Sequence, residues 1–460
     1  MARDAAELPP QRPPLRAKTP LNLSKLQSPH PRGVVPWAAL APPLRDAIVR
    51  PRFPPGQTSQ RTVNRISIQI VRVLAISVLV GAIASGCSTA NEGYFDQCEP
   101  EVSPAECYAK RRDPESAQVK MASDIALRYI NDHPAEEELW DWRSGVLMYG
   151  LTELYRVTRD ESLHDYYQAW MGYRIEEGYQ IVWSDSCPPA ITAISLLGEA
   201  PSDEYQQVVD DVLHYLDEVA PRTDEGGISH NGILGNRPSV WVDSLFMFGM
   251  ALNRWGELAD PSRLDMESEQ IQIFAKLLQD ESGFLRHAQN WPGYDESVYW
   301  ARGNSWVVAS LSDYLRIRVE REENDLEVEL PFRKHVEAIV GVQDIETGLW
   351  QTVMSHPNET ENYLETSGSA LFAYGIARAY RYGVLGDEEL AVAQKAIEGV
   401  KQMIRIDDDG PVVTGVSLAT DPWSLEEYLS VPVADDVNYG VGAVILALIE
   451  TSGLPDPERD

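Results

Sequence analysis

The stretch from residue 367 to residue 404 contains two predicted helices of different kinds. Residues 367–380, SGSALFAYGIARAY, are apolar or small on nearly every face of a helix. Residues 389–404, ELAVAQKAIEGVKQMI, carry apolar side chains three and four positions apart and charges on the opposite face. A helix without a polar face is buried, and a helix with one apolar stripe lies at the surface. The stretch therefore predicts a hairpin of one inner and one outer helix.

The same alternation extends along the chain from Glu115 onward. Twelve segments show helical periodicity, the even-numbered ones being apolar nearly all round and rich in Gly, Ala and Ser, and we find no convincing alternating strand. Six inner and six outer helices joined in hairpins form a closed ring, so residues 115–455 are predicted to be one all-α domain, an (α/α)6 barrel. A helical solenoid is the competing interpretation, but it needs more uniform repeats than the chain shows.

Composition and charge limit the classes of function. The 460 residues are 43% hydrophobic and include 12 Trp and 20 Tyr, which is enough for a large core. The net charge is −32, yet residues 1–86 contain twelve Lys and Arg against three Asp and Glu, a charge of +9, which leaves −41 on the remainder. Because nucleic-acid binding depends on basic faces, so acidic a body argues against nucleic acid as a partner.

The N-terminal region has the layout of a processing signal. Residues 1–62 are a Pro- and Arg-rich extension that we do not expect in the mature protein, and a translation start near Val63 is left open. Residues 63–86 combine basic residues, a short apolar run and small residues, as secretory signal peptides do. The small residues directly before Cys87 resemble a lipobox, in which the cysteine is acylated and becomes the first mature residue. Residues 87–114 are then a lipidated stem.

This layout predicts an exported bacterial lipoprotein whose body faces the periplasm and whose contact with the membrane is its lipid anchor alone. In such an oxidising compartment Cys98 and Cys107 could pair across a short segment, and two unpaired thiols are the equally open alternative. The sequence leaves the oligomeric state open.

Polar and aromatic residues cluster at or just before the start of each inner helix. In a ring of hairpins these six starts meet at one end. Helix N-termini and an arginine favour a carboxylate ligand, and Trp and Tyr faces offer flat apolar surface to sugar rings. The pattern therefore indicates a cavity for an acidic carbohydrate. The clusters are WDWRSG at 140, WSDSC at 183, WVDS at 241, WARGNSW at 300, YLETSGS at 363 and VNYGVG at 437.

The candidates for chemistry are Asp185 and Asp243, near the starts of inner helices, and His230 and His287, on the loops that precede such helices. Two carboxylates near a sugar can act as the acid and the base or nucleophile of glycoside hydrolysis. An Asp at this position is also a common helix N-cap, and a His after a Gly turn is often a loop or core residue. No metal-ligand spacing, phosphate-binding glycine loop or serine nucleophile elbow is present, so we predict neither a metal nor a cofactor.

The chain resembles the unsaturated rhamnogalacturonyl and glucuronyl hydrolases, glycoside hydrolase families 105 and 88, and is more similar to the former. The likeness covers about residues 115–452, and the ordered set of motifs is far more specific than any one of them. The motifs are VWVDSLFM from 240, SGFLRH from 282, YWARGNSW from 299, TGLWQTVM from 347, ENYLETSGSALFAYGIARA from 361 and EYLSVPVADDVNYGVGAVILAL from 427.

The resemblance implies an (α/α)6 barrel and an unusual hydrolysis. The substrate is an oligosaccharide that a lyase has left with a 4,5-unsaturated uronic acid at its end. The family's aspartate, which matches Asp243, protonates C4 and activates water for attack at C5, and Asp185 matches the assisting aspartate. We expect burial and a second carboxylate to hold the proton on Asp243. The substrate-binding residues are assigned as Trp142, His230, Trp241, His287, Trp300, Arg302 and Trp306.

Arg302 has two interpretations. Its guanidinium is expected to pair with the uronate carboxylate between Trp300 and Trp306, and the alternative is an arginine that caps neighbouring loops. Two residues depart from the family's pattern, since Ser305 replaces a usual Gly and Tyr439 replaces a common Lys. These departures leave the sugar next to the uronate undetermined.

Two rival functions remain open from the sequence. The same barrel suits a conventional two-carboxylate glycosidase or an epimerase, and the same aromatic rim suits a lipid-anchored sugar-binding protein without turnover.

Overall fold

A computed structural model of the chain describes residues 107–108 and 111–455. The predicted extension, the signal peptide, Cys87, Cys98 and most of the stem lie outside these residues. Cys107 is disulfide-bonded. No helix within the described ranges is long and apolar enough to cross a membrane.

Six inner helical segments confirm the prediction from periodicity. Nearly every residue of Ala301–Glu320, Thr366–Arg381 and Asn438–Thr451 is buried, as expected for helices without a polar face. The six segments, in chain order, are α1 (Trp142–Thr158), α2 (Pro189–Glu199), the pair α3 (Ser244–Met247) and α4 (Gly249–Leu258), α5 (Ala301–Glu320), α6 (Thr366–Arg381) and α7 (Asn438–Thr451).

The inner helices close into a ring. Each packs against the next in chain order, and α7 returns to pack against α1. The closure excludes the solenoid, in which the first and last repeats would not touch. Outer helices cover the ring from outside, and they are Ala117–Asp132, Glu161–Glu177, Asp203–His214 with a π-helical continuation Tyr215–Val219, Ser262–Leu278, Leu326–Val340 and Asp387–Gln402.

Small residues allow the inner helices to approach closely. Gly150 of α1 lies against Gly442 of α7, and a Cβ atom built on Gly150 would stand 2.9 Å from the Gly442 carbonyl oxygen. A side chain at either position would push apart the two helices that close the ring.

The structure adds details that periodicity did not predict. The sixth predicted segment breaks at Phe248, and a short helix, Leu425–Leu429, precedes α7. Three two-stranded antiparallel sheets also occur, with strands of two to four residues, too short to show alternation in sequence. The pairs are Trp350–Gln351 with Leu364–Glu365, Ile404–Asp407 with Gly410–Val413, and Val416–Ser417 with Val433–Ala434.

A buried ionic network fills the ring where the inner helices end. Arg378 of α6 contacts Glu153 at 3.0 Å, Asp313 at 2.6 Å and Glu450 at 2.9 Å, and Arg254 contacts Asp313 at 3.3 Å. These side chains are almost completely buried and come from five of the six inner segments. The network closes that end of the ring, so a cavity is expected at the other end, where the inner helices begin.

Candidate active site

The two candidate aspartates lie at the starts of neighbouring inner segments. Asp185 belongs to the 3-10 turn Ser184–Ser186, which precedes α2, and Asp243 directly precedes α3. A short relay of backbone hydrogen bonds joins the loops around them. Ser184 N donates to His230 O at 3.1 Å, His230 N donates to Ser239 O at 2.8 Å, and Val242 N donates to His287 O at 2.8 Å. These bonds place each histidine beside an aspartate.

Asp243 faces His287 rather than its own helix. Its side chain makes no capping hydrogen bond, and its Oδ2 lies 3.1 Å from His287 Nε2. Neither atom has another polar partner in the described part of the chain. Because the cap interpretation requires a bond to the helix backbone, the geometry does not support a capping role for Asp243.

Tyr428 orients the ring of His287. Its hydroxyl lies 2.6 Å from His287 Nδ1, and the ring stacks on Trp300 with centroids 4.5 Å apart. A donating hydroxyl at Nδ1 places the ring proton on Nε2, where it faces Asp243. Tyr428 was not predicted as a site residue, since its partner lies 141 positions away along the chain and no local pattern signals the contact.

Asp185 and His230 form the second aspartate–histidine pair. His230 Nε2 lies 3.5 Å from Asp185 Oδ1, and His230 Nδ1 lies 3.0 Å from the Ser244 hydroxyl. The imidazole stacks on Trp241 with centroids 4.2 Å apart. About a quarter of the Asp185 side chain is exposed, so a ligand can reach it.

The environment pushes the pKa values of the two aspartates apart. Burial and the neighbouring charge of Asp243 raise the pKa of Asp185 well above its ordinary value. Burial also acts to raise the pKa of Asp243, but His287 and His230 outweigh it and lower that pKa. Burial lowers the pKa of His230 to about 4, so its ring is neutral near pH 7. Two interacting carboxyls whose pKa values are displaced in opposite directions are suited to acid–base catalysis.

This distribution differs from one sequence-based expectation. Burial and a second carboxylate were expected to hold the proton on Asp243, but in the free enzyme those two causes favour the proton on Asp185 instead. The difference comes from His287, whose approach to Asp243 depends on tertiary structure.

The predicted tryptophans fall into two groups. Trp241 lies between the histidines, stacked on His230 and edge-on to His287, and Trp300 packs against His287. Trp306 is buried in the ring and meets Trp142 edge-on, with centroids 6.2 Å apart. Trp142 remains half-buried, and it is therefore the member of the second group that a ligand can touch.

Arg302 is almost completely buried, with 1% of its side chain exposed. Its Nη1 donates to Ser417 O and its Nη2 donates to Leu418 O, each at 2.8 Å. Glu365, which caps α6, lies 3.8 Å from Nη1. The guanidinium therefore connects the start of α5 with the start of α6 and the loop from residue 417, which favours the loop-capping alternative over a contact with the uronate.

The two departures from the family pattern also serve this framework. The Ser305 hydroxyl is buried and donates to Arg302 O at 2.7 Å. The Tyr439 hydroxyl donates to Ser417 O at 2.5 Å, and the ring lies 4.6 Å from that of Trp142. Neither hydroxyl donates to Asp185 or Asp243.

Three further residues near the pair were not singled out from the sequence. Asp421 interacts electrostatically with both histidines and with Asp243, and burial raises its pKa. Arg143 lowers the pKa of Asp185 and has 42% of its side chain exposed. Trp183, two positions before Asp185, is 43% exposed. The last two belong to sequence clusters identified above, but the exposure of each side chain decides which member of a cluster can meet a ligand.

No group of His, Cys, Asp and Glu that could hold a metal ion occurs among the residues described.

Comparison with known proteins gives a consistent result. The model of the family described as Glycosyl Hydrolase Family 88 matches residues 118–454. The chain belongs to glycosyl hydrolase family 88. The unsaturated rhamnogalacturonyl hydrolase YesR of Bacillus subtilis (strain 168) is 26% identical over 324 residues, which are 68% of this chain and 89% of that protein. An unsaturated 3S-rhamnoglycuronyl hydrolase of Alteromonas sp. (strain LOR) is 30% identical over 223 residues, 46% of this chain and 50% of that protein.

A solved structure extends the likeness to the fold. A possible member of family GH105 from Salmonella enterica serovar Paratyphi A has a TM-score of 0.65 and 26% identity, and the match covers 77% of this chain and 98% of the other. The resemblance seen in the sequence and the predicted (α/α)6 barrel are confirmed. Membership of family 88 makes the protein a glycoside hydrolase.

Proposed function

We propose that this family 88 protein removes a 4,5-unsaturated uronic acid from the non-reducing end of lyase-generated oligosaccharides. The observation that carries the proposal is the pair Asp185 and Asp243, which lies where the inner helices begin and has pKa values displaced in opposite directions. The names of the relatives YesR and the Alteromonas hydrolase support the choice of an unsaturated substrate.

The reaction adds water across the C4–C5 double bond. A carboxyl proton passes to C4 and water attacks C5, with its own proton returning to the ionised carboxylate. The resulting C5 hemiketal opens to a ketone, the C1–oxygen bond to the neighbouring sugar breaks, and the saccharide leaves with a proton on that oxygen. One water molecule is consumed in total. Protonation of carbon requires a positioned acid, and Asp243 is proposed as this acid and base with Asp185 as its partner.

The pair can supply the proton although the free enzyme favours it on Asp185. Interacting carboxyls titrate as a pair and share one proton over a range of pH. An anionic substrate beside Asp243 raises the pKa of that residue and draws the shared proton towards it. His287, which faces Asp243 at 3.1 Å, then steadies the carboxylate after proton transfer.

The test is the absorbance of the conjugated alkene. Lyase-made oligosaccharides with rhamnose, glucosamine or a sulfated sugar next to the unsaturated uronate are incubated with the wild-type protein, and decay of the ultraviolet absorbance is expected for at least one. Hydrolysis of saturated glycosides alone would point to a conventional two-carboxylate glycosidase. Binding without decay would point to a sugar-binding lipoprotein, and either result refutes the proposal.

Asp185→Asn is expected to shift the pH profile. Without Asp185 the proton must reside on Asp243, whose pKa is lowered, so the limb on which activity is lost with rising pH moves to lower pH. The rate at pH 7 is expected to fall by at least about tenfold. The measurement is kcat against pH by alkene absorbance, with the melting temperature as the folding control. An unchanged profile would remove Asp185 from the proton-transfer pair.

We also propose that the protein is an exported lipoprotein acylated at Cys87. The support is the signal-sized apolar run and the small residues directly before this cysteine. Cys87→Ser is expected to release soluble protein or to block processing, as followed by fractionation of cells and mass spectrometry. An unmodified Cys87 within an intact longer chain would contradict the proposal.

A further inference from the structure

An anionic substrate needs a cation in a cavity that is otherwise acidic. Asp141 and Asp421 interact electrostatically with the pair Asp185 and Asp243. The nearby His230 ring is neutral near pH 7. Like charges repel a uronate, so its carboxylate must meet a positive group to bind.

Arg302 is poorly placed to be this cation. Both of its Nη atoms donate to the loop from residue 417, and the side chain is almost completely buried. A carboxylate would have to displace the carbonyl groups that hold the loop.

Arg143 has the exposure that Arg302 lacks. Its side chain is 42% exposed, and it is close enough to both Asp185 and Tyr439 for its charge to lower their pKa values. The guanidinium carbon lies 5.4 Å from the centre of the Trp142 ring, which is itself half-buried.

The donors of Arg143 are only partly used. Its Nη1 donates to Asp141 Oδ2 at 2.7 Å, while Asp141 Oδ1 accepts from the backbone N–H groups of Arg143 and Ser144 at the start of α1. Asp141 thus fixes the position of the Arg143 side chain. Within the described ranges, the Nε and Nη2 groups of Arg143 donate no hydrogen bond to the protein. A planar guanidinium with donors to spare is suited to bind a carboxylate.

We propose that Arg143 binds the carboxylate of the unsaturated uronate and so makes the enzyme specific for the charged sugar. This inference rests on the proposed function, because the uronate is its ligand. The ring of the uronate then lies over Trp142, with its double bond towards Asp185 and Asp243. Arg143 contributes to binding and not to proton transfer.

The experiment measures two enzyme variants on each of two substrates. The unsaturated disaccharide that the wild type hydrolyses fastest is compared with its methyl ester at the uronate, and wild type is compared with Arg143→Gln. Loss of a charge-assisted contact is expected to raise KM for the free acid roughly tenfold to a hundredfold. The wild type should prefer the acid over the ester by a similar factor, and Arg143→Gln should lose that preference. Arg143→Lys should retain part of it.

Controls separate this role from a structural one. Arg321→Gln changes an exposed arginine beyond the far end of α5 and is expected to leave both substrates unaffected. The proposal is overturned if Arg143→Gln keeps the wild-type preference for the acid, or if both substrates lose activity in parallel with the melting temperature.

A binding measurement covers the case in which the wild type hydrolyses no substrate. Tryptophan fluorescence is titrated with the unsaturated monosaccharide, as acid and as methyl ester. Absence of turnover refutes the proposed function alone, whereas the loss of the acid preference in Arg143→Gln supports the role of Arg143. Equal binding of acid and ester by wild type, or no binding at all, overturns it.

Discussion

Asp243→Asn is expected to lower kcat by roughly a hundredfold to ten-thousandfold, equivalent to about 3–5 kcal/mol of activation free energy. The amide keeps the shape of the side chain but cannot transfer a proton to C4 or receive one from water. The expected size is that of positioned acid–base catalysis. The measurement is the rate of alkene absorbance loss under substrate saturation.

Folding and binding are expected to survive this change. The Asp243 side chain makes no capping bond to its helix, so an amide does not break one. The contact with His287 Nε2, 3.1 Å from Oδ2, can be kept by the amide oxygen. The melting temperature and KM should therefore stay close to the wild-type values. A variant that keeps more than about a tenth of the wild-type rate would exclude Asp243 as the acid, and Asp185 would be the next candidate.

The architecture could be predicted because the apolar pattern of each helix shows whether that helix is buried. A segment such as 367–380 has no polar face, so it must be inside whatever surrounds it. The split of the sixth segment at Phe248 and the strands of two to four residues leave no comparable pattern. They arise from tertiary packing, which periodicity cannot represent.

The aspartates and histidines of the site could be singled out because each lies near the mouth of an inner helix. Their proton distribution could not be predicted, because it depends on the 3.1 Å contact between His287 and Asp243 and on burial of His230. Both effects depend on contacts between loops that are distant in sequence. The residue pattern therefore predicted candidate residues, whereas their pKa values depend on contacts that only the fold brings together.

The two arginines of the helix mouths show the same limit. Arg143 lies one position after Trp142 and Arg302 two positions after Trp300, and the two side chains differ in exposure, 42% against 1%. The sequence favoured Arg302 as the partner of the uronate because Trp300 and Trp306 lie on either side of it. In the fold the Arg302 guanidinium bonds to Ser417 and Leu418 and is buried, whereas the Arg143 side chain remains 42% exposed.

Arg302→Lys is expected to destabilise the protein by roughly 2–4 kcal/mol, since a lysine cannot reproduce the planar fork that holds two loop carbonyls beside Glu365. KM of the remaining folded enzyme is expected to change by less than about threefold, under 1 kcal/mol. The measurements are urea unfolding and KM at a temperature well below the transition. Arg143→Gln supplies the matched contrast, because an exposed arginine should change KM with little change in stability. If Arg302→Lys instead raises KM and leaves the unfolding free energy unchanged, its guanidinium reaches the uronate, and the bonds to Ser417 and Leu418 must open when substrate binds.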